Sequence, residues 1–151
     1  MVTLDTTRLW AGHATPATVY AYPAAYVTLV LAVYRRDPRV LCSVLALVGV
    51  GPLLADPPAD DGAWGTRVVL GERVLLARGG NSPVGLLLVA CFAPVPFLTL
   101  RAALARRPVR TALLTLWMLF GMALFFERMT RLYETAGAAE RAAARAGVVV
   151  D

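Results

Sequence analysis

Residues 84–126 read VGLLLVACFAPVPFLTLRAALARRPVRTALLTLWMLFGMALFF. Two apolar runs without a single Asp, Glu, Lys or Arg flank a connection carrying Arg101, Arg106, Arg107 and Arg110. A bilayer core of ~30 Å takes roughly 20 apolar residues to cross as a helix. The stretch therefore reads as a membrane-spanning helical hairpin with arginines at its turn. Working outward, residues 9–34 and 40–55 are equally free of charge, and Arg35, Arg36, Asp37, Pro38 and Arg39 lie between them. Two such hairpins predict an all-α fold, a four-helix transmembrane bundle with spans over residues 18–34, 40–55, 84–104 and 111–126.

Composition agrees. Hydrophobic residues make up 58% of the 151-residue chain, against about 45–50% in an ordinary soluble domain. Four helices and their connections use nearly the whole length, so residues 1–151 form one membrane domain. The net charge of +5 does not point to nucleic acid. The arginines bracket apolar runs and do not line one soluble face, so the lipid bilayer is the expected partner. All fifteen basic residues are arginine, which reflects biased genome composition better than a phosphate site at every position. Cys42 and Cys91 both fall inside apolar runs and read as small buried hydrophobes. No CxxC motif or Cys/His cluster is present, so no zinc site, disulfide framework or cofactor is expected. The start, MVTLDTTRLW, lacks the basic and apolar regions of a signal peptide, so the first apolar run is expected to be retained.

The connections are read from their breakers. Residues 1–16 are short and polar. Pro23 lies inside the first span, and Pro94 and Pro96 lie inside the third, where they predict a kink. Asp56-Pro57-Pro58-Ala59-Asp60-Asp61-Gly62 is a strong loop signal. Residues 63–78 mix apolar and charged residues. Arg67, Glu72, Arg73 and Arg78 share neither a helix face nor a strand face, so neither period wins. This segment between the second and third spans is predicted to lie in the interface or to pack over the end of the bundle. Residues 79–83 read as a turn and helix start. Residues 134–151 are Ala-rich, a surface helix or a disordered tail.

Seven of the fifteen arginines fall in the two turns, residues 35–39 and 101–110. The positive-inside rule places both turns in the cytoplasm, with both termini and residues 56–81 outside a cell membrane. Similar chemistry in the two turns fits a duplicated hairpin or selection on two cytoplasmic turns, and the second is preferred.

Few residues here can carry chemistry. His13 is the single histidine. It is either a proton carrier near the surface or a polar residue preceding a helix. Glu72 beside Arg73 is either a site or an ion pair holding its segment. Trp64 reads as an interface anchor. No acidic or basic residue falls deep within a predicted span, which argues against a proton-coupled transporter or ion pump. Walker, GxSxG and HExxH motifs are missing.

Two segments carry a resemblance. Trp10-Ala-Gly-His13-Ala-Thr-Pro16 and Trp64-Gly-Thr-Arg67-Val-Val-Leu-Gly71-Glu72-Arg73 resemble the Trp-x-x-His-x-x-Pro opening and the Trp-x-x-Arg…Gly-Glu-Arg stretch of a family of small prokaryotic multi-pass membrane proteins of unknown function. The resemblance covers about residues 8–130. It implies that His13, Trp64, Arg67, Gly71, Glu72 and Arg73 recur together, and the orientation above puts all six on one side. No catalytic residue and no metal ligand is assigned. The expected function is that of a structural or accessory membrane protein, non-enzymatic, packing as a homo-oligomer or with a larger membrane partner. The alternatives are a small transporter or channel subunit, and a membrane-surface enzyme using His13 and Glu72.

Overall fold

The computed structural model describes residues 6–80 and 83–149. Its described residues are helical, without a strand: α1 (Thr6–His13), α2 (Pro16–Arg35), α3 (Pro38–Leu54), α4 (Trp64–Ala77), α5 (Pro83–Phe92), α6 (Val95–Leu104), α7 (Pro108–Glu134) and α8 (Ala138–Arg145). Three stretches are long and apolar enough to cross a membrane: α2, the α5–α6 stretch Gly85–Leu104, and α7. The expectation of four spans is met only in part. α3 is apolar but has 17 residues, a rise of about 26 Å. The predicted turn at residues 79–83 includes Asn81 and Ser82, which lie outside the described residues, as do residues 1–5 and 150–151.

The molecule is apolar outside along the spans and packed inside at one end. Leu45, Leu47, Leu86, Leu87, Phe97, Leu113, Leu116 and Trp117 are all at least half exposed. Contiguous apolar surface on this scale marks contact with lipid or protein. Cys42 and Cys91 also lie on the exposed surface, which corrects the reading of them as buried. A small hydrophobe is as well placed facing outward when the helix exterior is itself apolar. The dense core is elsewhere. Val68, Val69, Leu70 and Val74 of α4 pack with Val19, Met129, Tyr133 and Val148.

The two basic turns share one backbone design. After α2, Arg36 takes a left-handed conformation (φ 58°), its N–H donates to the Val33 carbonyl, and the Asp37 N–H donates to Ala32. After α6, Arg106 does the same (φ 50°), with Arg106 N–H to Ala103 and Arg107 N–H to Ala102. This paired closure satisfies the last carbonyls of a helix. Pro38 and Pro108 then start the next helices, where a missing N–H costs nothing. Asp37 also caps α3 by accepting from the Arg39 and Val40 N–H groups at 3.0 and 3.2 Å. Tyr34 and Pro108 line one shared groove, so both turns lie at the same end of the bundle.

The third apolar run divides at Ala93-Pro94 into α5 and α6. Pro94 cannot donate to the ladder, yet its carbonyl accepts from Leu98 N–H at 3.1 Å and restarts the helix. Pro94→Ala is expected to straighten this junction while membrane insertion stays at wild-type level, because the run remains apolar. Loss of insertion in a membrane-fractionation assay would show that the break is needed for topology.

At the end opposite the basic turns lie α1, α4 and α8. The ambiguous segment 63–78 is a helix and holds some of the most buried residues of the molecule: Thr66 and Leu70 are 0% exposed. It packs chiefly against the C-terminal half of α7. Residues 1–16 read as short and polar, but α1 occupies Thr6–His13. The Ala-rich tail forms α8, an exposed helix whose end returns to the core through Ala144, Val148 and Val149.

Candidate functional site

Gly71, Glu72 and Arg73 are consecutive on α4, and consecutive helical residues point roughly 100° apart. They therefore face three different neighbours. Gly71 faces α7, where a Cβ would land on the Met129 carbonyl oxygen. Its role is close approach between helices. Arg73 faces α8. Its Nη1 donates to the carbonyls of Ala144 at 2.8 Å and Ala146 at 2.9 Å, and its guanidinium lies 5.9 Å from the Trp10 ring centroid. It satisfies carbonyls that the end of a helix leaves without partners. Glu72 faces the other way, into a cavity beside α1 and α2.

At that cavity the structure brings His13 and Glu72 together. His13 is the last residue of α1. The Tyr22 hydroxyl lies 2.7 Å from its Nδ1. Nε2 lies 3.8 Å from Glu72 Oε2. Burial holds the imidazole below its ordinary pKa, which keeps it neutral at pH 7. Nδ1 then accepts the tyrosine proton and Nε2 carries the hydrogen, aimed toward the carboxyl. Burial also pushes Glu72 up to about 7. Its side chain is 22% exposed, and among the described residues it has no hydrogen-bond partner. The glutamate does not pair with Arg73, which corrects the reading of these neighbours as an ion pair.

The remaining sequence-predicted residues sit apart from this pair. Trp64 stacks on Tyr20 at 5.8 Å and meets Phe126 edge-on at 5.9 Å. Arg67 pairs with Glu134 at 3.0 Å. Four residues that matter here, Tyr22, Asp61, Tyr133 and Arg145, are not singled out by the sequence as site residues. In the sequence Tyr22 is one of four tyrosines of the first apolar run and looks like an interfacial aromatic. Tyr133 donates to Asp61 at 2.6 Å, and Arg145 lies 3.8 Å from the same carboxylate. The tyrosine hydrogen bond first, then the arginine charge, hold Asp61 below the usual carboxylate range. No short-range pattern links residues 61 and 133, so only a contact map could have found them.

The cap is laced by further pairs. Arg78 makes a two-pronged contact with Glu140 at 2.9 and 2.8 Å. Glu140 also accepts from the Gly137 N–H that starts α8, at 2.9 Å. The arginine, and then that backbone bond, hold Glu140 down to about 2. Glu127 and Arg131 pair along α7 at 2.7 Å, as their i, i+4 spacing predicts. Among the described residues no group of three His, Cys, Asp or Glu side chains is placed to hold a metal ion. The cavity beside His13 and Glu72 is lined by no serine, threonine, cysteine or lysine. The pair can exchange a proton, and the side chains of that lining with nucleophilic atoms are His13, Glu72, Tyr22 and Tyr26. Comparison of the chain with protein-family models, curated proteins and solved structures finds no match.

Proposed function

We propose that this chain is a structural or accessory protein of the cell membrane, with four spans formed by α2, α3, α5–α6 and α7. α3 completes the bundle because Arg39 reaches outward at its start and Asp56 follows its end, so its short rise is extended at both interfaces. The basic turns face the cytoplasm. Both termini and the cap of α1, α4 and α8 face outside. The resemblance to the small prokaryotic multi-pass family fits this architecture.

One observation carries the reading. The charged side chains of the cap join separate helices: Arg67 to the end of α7, Arg73 and Arg78 to α8, and Arg145 to the loop before α4. A cap built this way clamps the end of a bundle and leaves the apolar flanks of the spans for lipid, a second copy or a larger membrane partner. The topology is tested with single cysteines in a chain lacking Cys42 and Cys91. Ala59 and Ala105 are exposed positions. Ala59→Cys is expected to react with an impermeant maleimide in intact cells, and Ala105→Cys only after permeabilisation. The reverse pattern would invert the orientation, and equal labelling of both in intact cells would remove the four-span reading.

A further inference from the structure

The cavity that ends on His13 and Glu72 has a volume of about 450 Å³, within the range of roughly 300–1,000 Å³ typical of small-molecule sites. It is elongated. Along α2 its lining runs from Val19 to Leu29, about 15 Å of helix. Apart from Tyr26, the part beyond the polar end is apolar, with Ala25, Val48, Leu100 and Met118 among its walls. Its polar chemistry gathers at one end, where Glu72, His13 and the Tyr22 hydroxyl meet.

A long apolar channel with one polar end fits an amphiphile, and the polar end selects the head. The lining contains no arginine. Arg73, next to Glu72 in sequence, is committed to carbonyls of the α8 end. Arg67 is committed to Glu134. His13 is neutral, with Nδ1 occupied by the tyrosine proton. The site therefore holds a carboxyl without a cation, and its second free acceptor is the Tyr22 oxygen. A buried carboxylate without a partner is unfavourable, and a cation with hydrogen-bond donors repairs that. An anionic head would meet the carboxylate as a like charge.

We propose that this cavity binds a single-chain amphiphile with a primary amine head, the ammonium resting on Glu72 and the tail lying along α2 toward Leu29 and Met118. His13 holds the Tyr22 hydroxyl at 2.7 Å and turns Nε2 toward the carboxyl at 3.8 Å. The inference rests on the membrane reading above only for the ligand's route of entry, from the bilayer.

The test uses the full chain purified in maltoside micelles and dodecylamine as the probe, with equilibrium dialysis as the readout. Saturable binding near one per chain is expected. Glu72→Gln should weaken it roughly tenfold or more, and Tyr22→Phe severalfold. Val48→Phe, which narrows the tail channel far from the carboxyl, should also weaken it while circular dichroism stays unchanged. Dodecanol and dodecyl sulfate at equal concentration should not compete. Uptake that does not saturate, or that is equal in wild type and Glu72→Gln, would overturn the site. Equal competition by dodecanol would overturn the amine head. The outcome is separable from the cysteine labelling, which reports on membrane crossing and not on this cavity. Failure of binding with the labelling intact removes only the ligand.

Discussion

Gly71→Ala is expected to destabilise the protein by about 3 kcal/mol, more than any other single methyl addition proposed for this chain. An added Cβ would land on the Met129 carbonyl oxygen, with the Met129 carbonyl carbon 2.6 Å away. Both atoms belong to the backbone of a 27-residue helix, so neither can rotate aside as a side chain would. Relief requires α4 to move off α7, and that opens the packing of Leu70, Val74 and Met129, which lie in the same buried cluster. Gly49→Ala is the matched control. Nothing lies within 4 Å of its Cβ position, so the change should stabilise the α3 helix by up to about 1 kcal/mol through intrinsic propensity alone. The comparison is made by thermal or denaturant unfolding in a fixed detergent. Equal stability of the two variants would show that α4 and α7 do not approach as closely as Gly71 requires.

What the sequence makes legible here follows from periodicity and charge. The absence of charge over residues 111–126 marks the middle of α7, and Arg35 to Arg39 marks the turn before α3, because both signals are local. α4 is the contrary case. Its charges share no face, and that pattern looks like neither a helix nor a strand when each charge is assumed to seek water. In the structure Arg67, Glu72, Arg73 and Arg78 leave the helix in different directions because each meets a different neighbour: Glu134, the cavity beside α1, the end of α8, and Glu140. An amphipathic period assumes one wet face. A helix surrounded by other helices and paired on several sides has none, so its pattern dissolves. The orientation that puts His13 and residues 56–81 on one side makes His13 and Glu72 candidates to meet, and the structure places them 3.8 Å apart. The place of Tyr22 on the other ring nitrogen of His13 is not legible. Its ring sits two turns into α2, and nothing in its spacing separates a hydrogen-bond partner from an interfacial aromatic.

The pH profile of stability should divide into two opposing limbs, one from each member of this pair. Glu72 titrates at about 7 in the folded chain and at ~4.3 when unfolded. Between those values the folded state holds a proton that the unfolded state has lost. Its contribution is therefore fully present below ~4.3, falls as pH rises through the window, and is gone above about 7. The whole limb is worth about 4 kcal/mol. His13 acts with the opposite sign. Burial lowers its folded pKa, so its contribution is fully present above the unfolded value of ~6.5 and is lost as pH falls through the folded one. No other charged side chain lines the cavity, whose remaining titratable groups are Tyr22 and Tyr26. Wild type should thus gain stability through Glu72 as pH falls from about 7 toward ~4.3, and the loss from His13 should oppose that gain below ~6.5. Glu72→Gln, a mimic of the protonated carboxyl, should abolish the alkaline limb. It should exceed wild type by up to about 4 kcal/mol at pH 8 and match it only below about pH 4. A Glu72→Gln variant less stable than wild type at pH 8 would mean that the carboxylate has a cationic partner in the folded protein. Dodecylamine connects the two experiments. An ammonium bound at Glu72 stabilises its ionised form, so saturating amine should flatten the alkaline limb of wild type and leave the Glu72→Gln profile where it was. If the amine shifts both profiles equally, it is acting on the micelle and not on the carboxyl.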